Sequence, residues 1–245
     1  MGWAQTRDAV IAEVDALVAR AQSLRDELWR APSGCEGWTV GQVAAHVASV
    51  MDVQQTAFQH MLAGDGTTPD WANPPFVSAE ATLDALTAAQ AKAHETMGRL
   101  GDDHADTPVP LPFGTFPTEV ALDILLLEYG THRWDIARAA DPSVRLSPAA
   151  SECVLRLAPA FVAFFATNPP DEPIGYLLET DSVSLDVSAR DGGWVLEASP
   201  VPTTVVRGDD NAIALFVVGR VTADDPRLSV TGADGASFKR WFPGP

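Results

Sequence analysis

Apolar residues recur at helical spacing along the first half of the chain and switch to alternation in the second. Val10, Val14, Leu17, Val18 and Leu24 line one face of a helix expected over residues 4–30, broken at Pro32-Ser33-Gly34. Thr39 and Gln42 have the spacing of a capping box for a second helix over 39–63, which Gly64-Asp65-Gly66 ends. Residues 67–77 carry three prolines and Trp71 and read as a long loop able to cover a pocket. Ser78 caps a third helix running to about Leu100, and residues 117–140 make a fourth between Pro117 and Asp141-Pro142. Four such helices predict a bundle, the architecture that builds metal sites from side chains on facing helices.

Beyond a fifth helix over residues 148–166 and the breaker cluster at 168–173, the apolar period becomes two. Residues 183–189 alternate, Asp191-Gly192-Gly193 is a turn, and Trp194–Ala198 returns as the second arm of a hairpin. Thr204–Arg207 and Arg227–Thr231 read as further strands with a helix between them over Asp209–Gly219. The expected fold class is therefore α+β, with a helical bundle over 1–145 and a smaller α+β domain over 146–245 that includes the helix bridging to it.

The chemistry lies on two of these helices. Glu128 and His132 are four apart, so their side chains stack on one helix face about 6 Å apart along the axis. Glu128 shares a stripe with Ala121, Leu125 and Asp135, where an ionised carboxylate is costly without a cation or hydrogen-bond donors. His46 sits on the second helix among Val43, Val50 and Val53. Each feature alone is ordinary, a surface pair or a satisfied core histidine. Together, two imidazoles and a carboxylate form the donor set of a divalent metal site with an open position. These ligand types suit zinc and would also suit nickel or non-haem iron, so they do not fix the metal. Asp135 returns to the Glu128 and His132 face and could accept an imidazole N–H, or else pair with Arg138.

Other candidates are weaker. His60, 14 residues past His46, lies about 21 Å further along the helix and cannot share an ion. His94 and His104 have charged neighbours in sequence and read as solvent-facing. Cys35 has no evident base, and Trp38, Trp134 and Trp241 read first as packing residues.

Trp38-Thr39-Val40 leading to Ala45-His46-Val47, Glu128-x-x-x-His132-x-Trp134-Asp135, and Ala214–Arg220 followed by Leu228-Ser229-Val230 and Phe238–Trp241 resemble the mycothiol-dependent maleylpyruvate isomerase family of the wider DinB/YfiT-like metalloprotein group. The resemblance covers nearly the whole chain. It implies a DinB-like bundle followed by a sterol-carrier-like domain, with His46, Glu128 and His132 as ligands of zinc or a similar ion. It further implies mycothiol as thiol cofactor and Arg220 as the arginine that holds a substrate carboxylate. The reaction implied is cis–trans isomerisation of maleylpyruvate by thiolate addition and elimination. The alternatives are a mycothiol S-transferase acting on another electrophile and a non-catalytic metal-containing binding or stress-response module. Metal-assisted hydrolysis ranks last, because the chain lacks a His-Glu-x-x-His motif.

Composition narrows the partners. A net charge of −17, spread over both halves without a basic patch, argues against nucleic acid and anionic membrane surfaces. The expected partners are a low-molecular-weight thiol and a small acidic substrate, and the sequence is silent on oligomeric state. Residues 1–8 lack the start of a signal peptide, and no apolar stretch reaches the roughly 20 residues of a membrane span. Two separated cysteines make neither a disulfide framework nor a thiolate zinc motif, and the expected location is cytoplasmic.

Overall fold

The computed structural model describes residues 2–201, 203–232 and 237–243. The chain divides into two compact units, Met1–Ala149 and Ala150–Pro245, and its fold class is α+β.

The first unit contains α1 (Trp3–Gln22), α2 (Val40–Leu62), α3 (Ala79–Gly98), the antiparallel hairpin β1 (Pro108–Leu111) and β2 (Gly114–Pro117), and α4 (Thr118–Arg138). Val10, Val14 and Leu17 of α1, Val43, Val47, Met51 and Phe58 of α2, Leu86 of α3 and Leu122, Leu125 and Leu126 of α4 form its core. Removing such side chains from water supplies about 1.5–3 kcal/mol each. Most residues of α4 are buried, Asp123, His132 and Asp135 among them. One buried ion pair, Arg133 Nε to Glu13 Oε2 at 2.5 Å, ties it to α1.

The first helix is shorter than its apolar pattern predicts. It ends at Gln22, where the Ser23 hydroxyl donates to the Arg20 carbonyl and competes with the next helical turn. A separate 3₁₀ turn over Asp26–Arg30 follows and buries Trp29. The β1–β2 hairpin replaces what reads in the sequence as a plain connection.

In the second unit, α5 (Pro148–Phe165) precedes β3 (Gly175–Glu179), β4 (Ser184–Arg190), β5 (Gly193–Val195), β6 (Thr203–Arg207), α6 (Asp210–Val217), β7 (Ser229–Thr231) and α7 (Phe238–Trp241). The sheet order is β5-β4-β3-β6-β7, antiparallel throughout except for the parallel β3–β6 pair. Tyr176, Val187, Val206, Phe216 and Phe238 are buried around it. No helix among the described residues is long and apolar enough to cross a membrane.

Candidate metal centre

α2 begins with a reciprocal cap. Gln42 N–H donates to Thr39 Oγ1 at 3.3 Å, and Thr39 N–H donates to Gln42 Oε1 at 2.8 Å. The cap fixes where the helix starts and so places His46 on its second turn, facing α4. On α4, Glu128 and His132 stand one turn apart on the face toward α2.

Glu128 Oε1 lies 3.3 Å from His46 Nε2 and 3.2 Å from His132 Nε2. One donor atom from each residue falls within 4.8 Å of the other two. A tetrahedral ion with bonds near 2.1 Å separates its ligand atoms by about 3.4 Å, so both carboxylate-to-imidazole spacings fit such an ion. The two rings are 5.0 Å apart and nearly perpendicular. Among the described residues this is the single cluster of its kind.

The far nitrogens of both rings are anchored. His132 Nδ1 lies 2.9 Å from Asp135 Oδ2, and His46 Nδ1 lies 3.2 Å from Asn73 Oδ1. Both acceptors are oxygens, so both Nδ1 atoms carry a proton and both Nε2 atoms are directed at Glu128. Arg138 donates instead to the Pro142 carbonyl at 2.6 Å. Asn73 and its contact with His46 were not foreseen from sequence; the only hint was a proline-rich loop of pocket-covering length.

The electrostatics reflect this crowding. Burial would raise the Glu128 carboxyl, but His132 and His46 outweigh it and hold the group well below the usual carboxylate range. Burial would lower His132, yet Glu128 and Asp135 raise it to about 9. Without a cation, the His132 imidazolium therefore compensates the carboxylate. A divalent ion supplies the same compensation, so the donor set fits one.

Loop packing completes the surroundings. Gly34 N–H donates to the Asp135 carbonyl at 2.9 Å, and a Cβ on Gly34 would come within 2.5 Å of Trp134 and 2.9 Å of Asp135. The missing side chain lets the 33–38 loop lie against α4, and the ring of Trp38 meets that of His46 edge-on at 5.3 Å. Trp134 is buried and donates to the Val144 carbonyl. A cavity of about 200 Å³ opens beside His46 and Glu128, walled by Val50, Val53, Gln54, Trp71, Pro112, Phe113 and Ile124. Gln54 is 2% exposed, and its Oε1 has no hydrogen-bond partner among the described residues.

The other candidates fall elsewhere. His60 Nδ1 lies 2.6 Å from the Thr67 carbonyl oxygen, His94 lies 2.7 Å from Asp15 at the surface, and Cys35 is half-buried in the 33–38 loop. Arg220 belongs to the second unit. Gly219, with φ +76°, and Arg220 form a Schellman end to α6, their N–H groups donating to the Phe216 and Leu215 carbonyls. Arg220 Nη1 donates to the Val218 carbonyl at 3.0 Å and Lys239 Nζ to the Val217 carbonyl at 3.0 Å. Burial, with Arg220 adding to it, pushes Lys239 down to about 7.

Comparison with known proteins agrees with the fold. The family described as mycothiol maleylpyruvate isomerase N-terminal domain matches residues 10–137. Two uncharacterized proteins from strains of Mycobacterium tuberculosis are 29% identical over 138 residues, 55% of this chain. That stretch is 66% of each relative's own length, just under two thirds. Crystal structures of the mycothiol-dependent maleylpyruvate isomerase and of a histidine-to-alanine mutant superpose with a TM-score of 0.73. They share 14% identity over 96% of both chains, a likeness of fold.

Proposed function

We propose that this chain, which belongs to the family of the mycothiol maleylpyruvate isomerase N-terminal domain, is a metal- and thiol-dependent enzyme of the maleylpyruvate isomerase type. The observation that carries the reading is the convergence of His46 Nε2, His132 Nε2 and Glu128 Oε1 with both Nδ1 atoms anchored from behind.

His46, Glu128 and His132 would hold a divalent cation, zinc by preference and nickel or iron as alternatives. Bound there with a position open, such a cation supplies the Lewis acidity that makes a thiol ionise at neutral pH. Asp135 and Asn73 keep the Nδ1 protons in place and the Nε2 lone pairs directed inward. Trp71, Val50 and Val53 would give the cavity an apolar wall against the electrophile.

In the isomerisation, the thiol sulfur of mycothiol forms a bond to one carbon of the cis double bond. The electron pair moves to the adjacent carbonyl as an enolate. Rotation about the single bond and loss of the thiol restore the double bond as trans, with no net redox change. Arg220, carried over from the family resemblance, would hold the substrate carboxylate as negative charge develops.

The test joins elemental analysis of the purified protein to thiol-dependent conversion of maleylpyruvate. One tightly bound divalent ion per chain is expected, with turnover that requires mycothiol. His46→Ala and His132→Ala should abolish both, whereas Arg220→Ala should retain metal and lose turnover. Metal-loaded wild type that fails to convert maleylpyruvate with mycothiol present rejects the isomerase reading.

One observation favours a second reading. The cavity beside His46 and Glu128 is walled by aliphatic and aromatic side chains with the Gln54 amide as an uncharged polar group, and among the described residues no Lys or Arg lines it. This suits an apolar electrophile with one hydrogen-bonding oxygen, and hence a mycothiol S-transferase. Formation of a stable S-conjugate with an alkylating substrate, in place of isomerisation, would identify it.

A further inference from the structure

His46 also adjoins a second and larger cavity, a groove of about 650 Å³ contained in the first unit. It reaches the histidine through two of its own lining residues. The Trp38 ring meets the imidazole at 5.3 Å, and Asn73 Oδ1 lies 3.2 Å from Nδ1. We propose that this groove binds the sugar portion of the thiol, the glucosaminyl-inositol part of mycothiol, while the sulfur lies beside Glu128; the inference rests on the thiol-dependent reading above.

The walls have the chemistry of a polyol site. The half-buried Phe76 lies stacked on the buried Trp29, the rings 6.0 Å apart and 8° from parallel, and the half-buried Trp38 offers a second ring surface. Flat aromatic surfaces accept the C–H faces of pyranose and cyclohexane rings. Phe76 can lie against α2 because residue 41 is glycine; a Cβ there would come within 2.8 Å of its ring.

Two polar heads are available around these rings. Arg30 is exposed and makes no hydrogen bond or ion pair among the described residues. Its planar fork of donors matches a pair of adjacent hydroxyls. Gln42 uses Oε1 in the helix cap and leaves its Nε2 as a donor. With Arg30 as the one cation lining the groove among the described residues, on a chain of net charge −17, a neutral polyol fits better than a polyanion. The volume lies within the roughly 300–1,000 Å³ of small-molecule sites. The smaller cavity of about 200 Å³ beside Glu128 is left for the electrophile.

The experiment uses the full-length, metal-loaded protein and two thiols, mycothiol and N-acetylcysteine, which lacks the sugars. Arg30→Ala removes the fork, and Gln42→Glu keeps the capping box while replacing the amide donor. Each should lower kcat/KM with mycothiol roughly tenfold more than with N-acetylcysteine, the effect of losing about 1.4 kcal/mol of hydrogen bonding. Glucosaminyl-inositol itself should bind wild type by calorimetry and bind Arg30→Ala at least roughly tenfold more weakly. Equal losses with both thiols, or glucosaminyl-inositol binding that neither variant weakens, overturns the assignment. Should the wild type show no thiol-dependent turnover at all, the enzymatic reading fails separately. The calorimetry then still decides the groove: weakened binding in Arg30→Ala upholds it, and absence of binding to wild type rejects it.

Discussion

Asp135 Oδ2 stands 2.9 Å from Nδ1 of His132, one turn back along α4, and the Asp135 side chain is fully buried. A carboxylate in that place fixes both the ring's orientation and its proton. Asp135→Asn should retain the fold and weaken zinc binding about 10- to 100-fold. Competition with a chelator of known affinity measures it, and unchanged affinity would remove Asp135 from the site.

The same pair sets a pH dependence in the metal-stripped protein. The folded value of His132, about 9, exceeds the ordinary histidine value of 6.5 despite burial, because Glu128 and Asp135 favour the imidazolium. A raised value means stabilisation present in full below about 6.5 and lost as pH climbs through about 9. Stripped wild type should therefore lose Tm relative to stripped His132→Gln between pH 7 and pH 10. Saturating zinc should remove this high-pH loss from the wild type itself, because the ion displaces the Nε2 proton. Parallel Tm curves for the stripped pair would refute the assignment.

Gly34 allows a close approach on which the site depends. Gly34→Ala forces a Cβ against Trp134 and Asp135 and should cost about 1–3 kcal/mol, the usual penalty for overpacking. Urea denaturation reads the loss. If stability holds, the loop yields without strain, and its seat on α4 is looser than the geometry indicates.

Gln54 lines the cavity beside Glu128 and has a buried amide oxygen with no partner among the described residues. Gln54→Leu removes an unmet acceptor, so Tm should hold or rise. Turnover should fall if the amide contacts the electrophile. A large drop in Tm with unchanged kcat/KM would make Gln54 a structural residue instead.

Local signals carried much of this organisation. The Thr39 and Gln42 spacing marks the start of α2, and the four-residue step from Glu128 to His132 puts two donor groups on one face wherever a helix forms. The end of α1 was less legible, because the apolar stripe continues past Ser23 through Leu24, and a single hydroxyl bond to the Arg20 carbonyl ends the helix. The β1–β2 hairpin was missed because two four-residue strands around a Pro-Phe turn have no readable period. β3 was missed because Tyr176, Leu177 and Leu178 form a run rather than an alternation.

The groove residues illustrate a different limit. Trp29, Arg30, Asn73 and Phe76 lie on a 3₁₀ turn and a loop more than 40 positions apart, and nothing in either segment announces the other. Only the folded chain makes them neighbours.

The proline-rich segment between α2 and α3 works as a party wall. Trp71 faces the small chamber, while Asn73 and Phe76 face the large groove. Shifting this wall to admit a bulkier electrophile would narrow the compartment next door, so the two occupants cannot be exchanged independently. Diversification of such a protein toward new chemistry would be expected to proceed through other walls, such as the hairpin tip at Phe113, which borders one room alone.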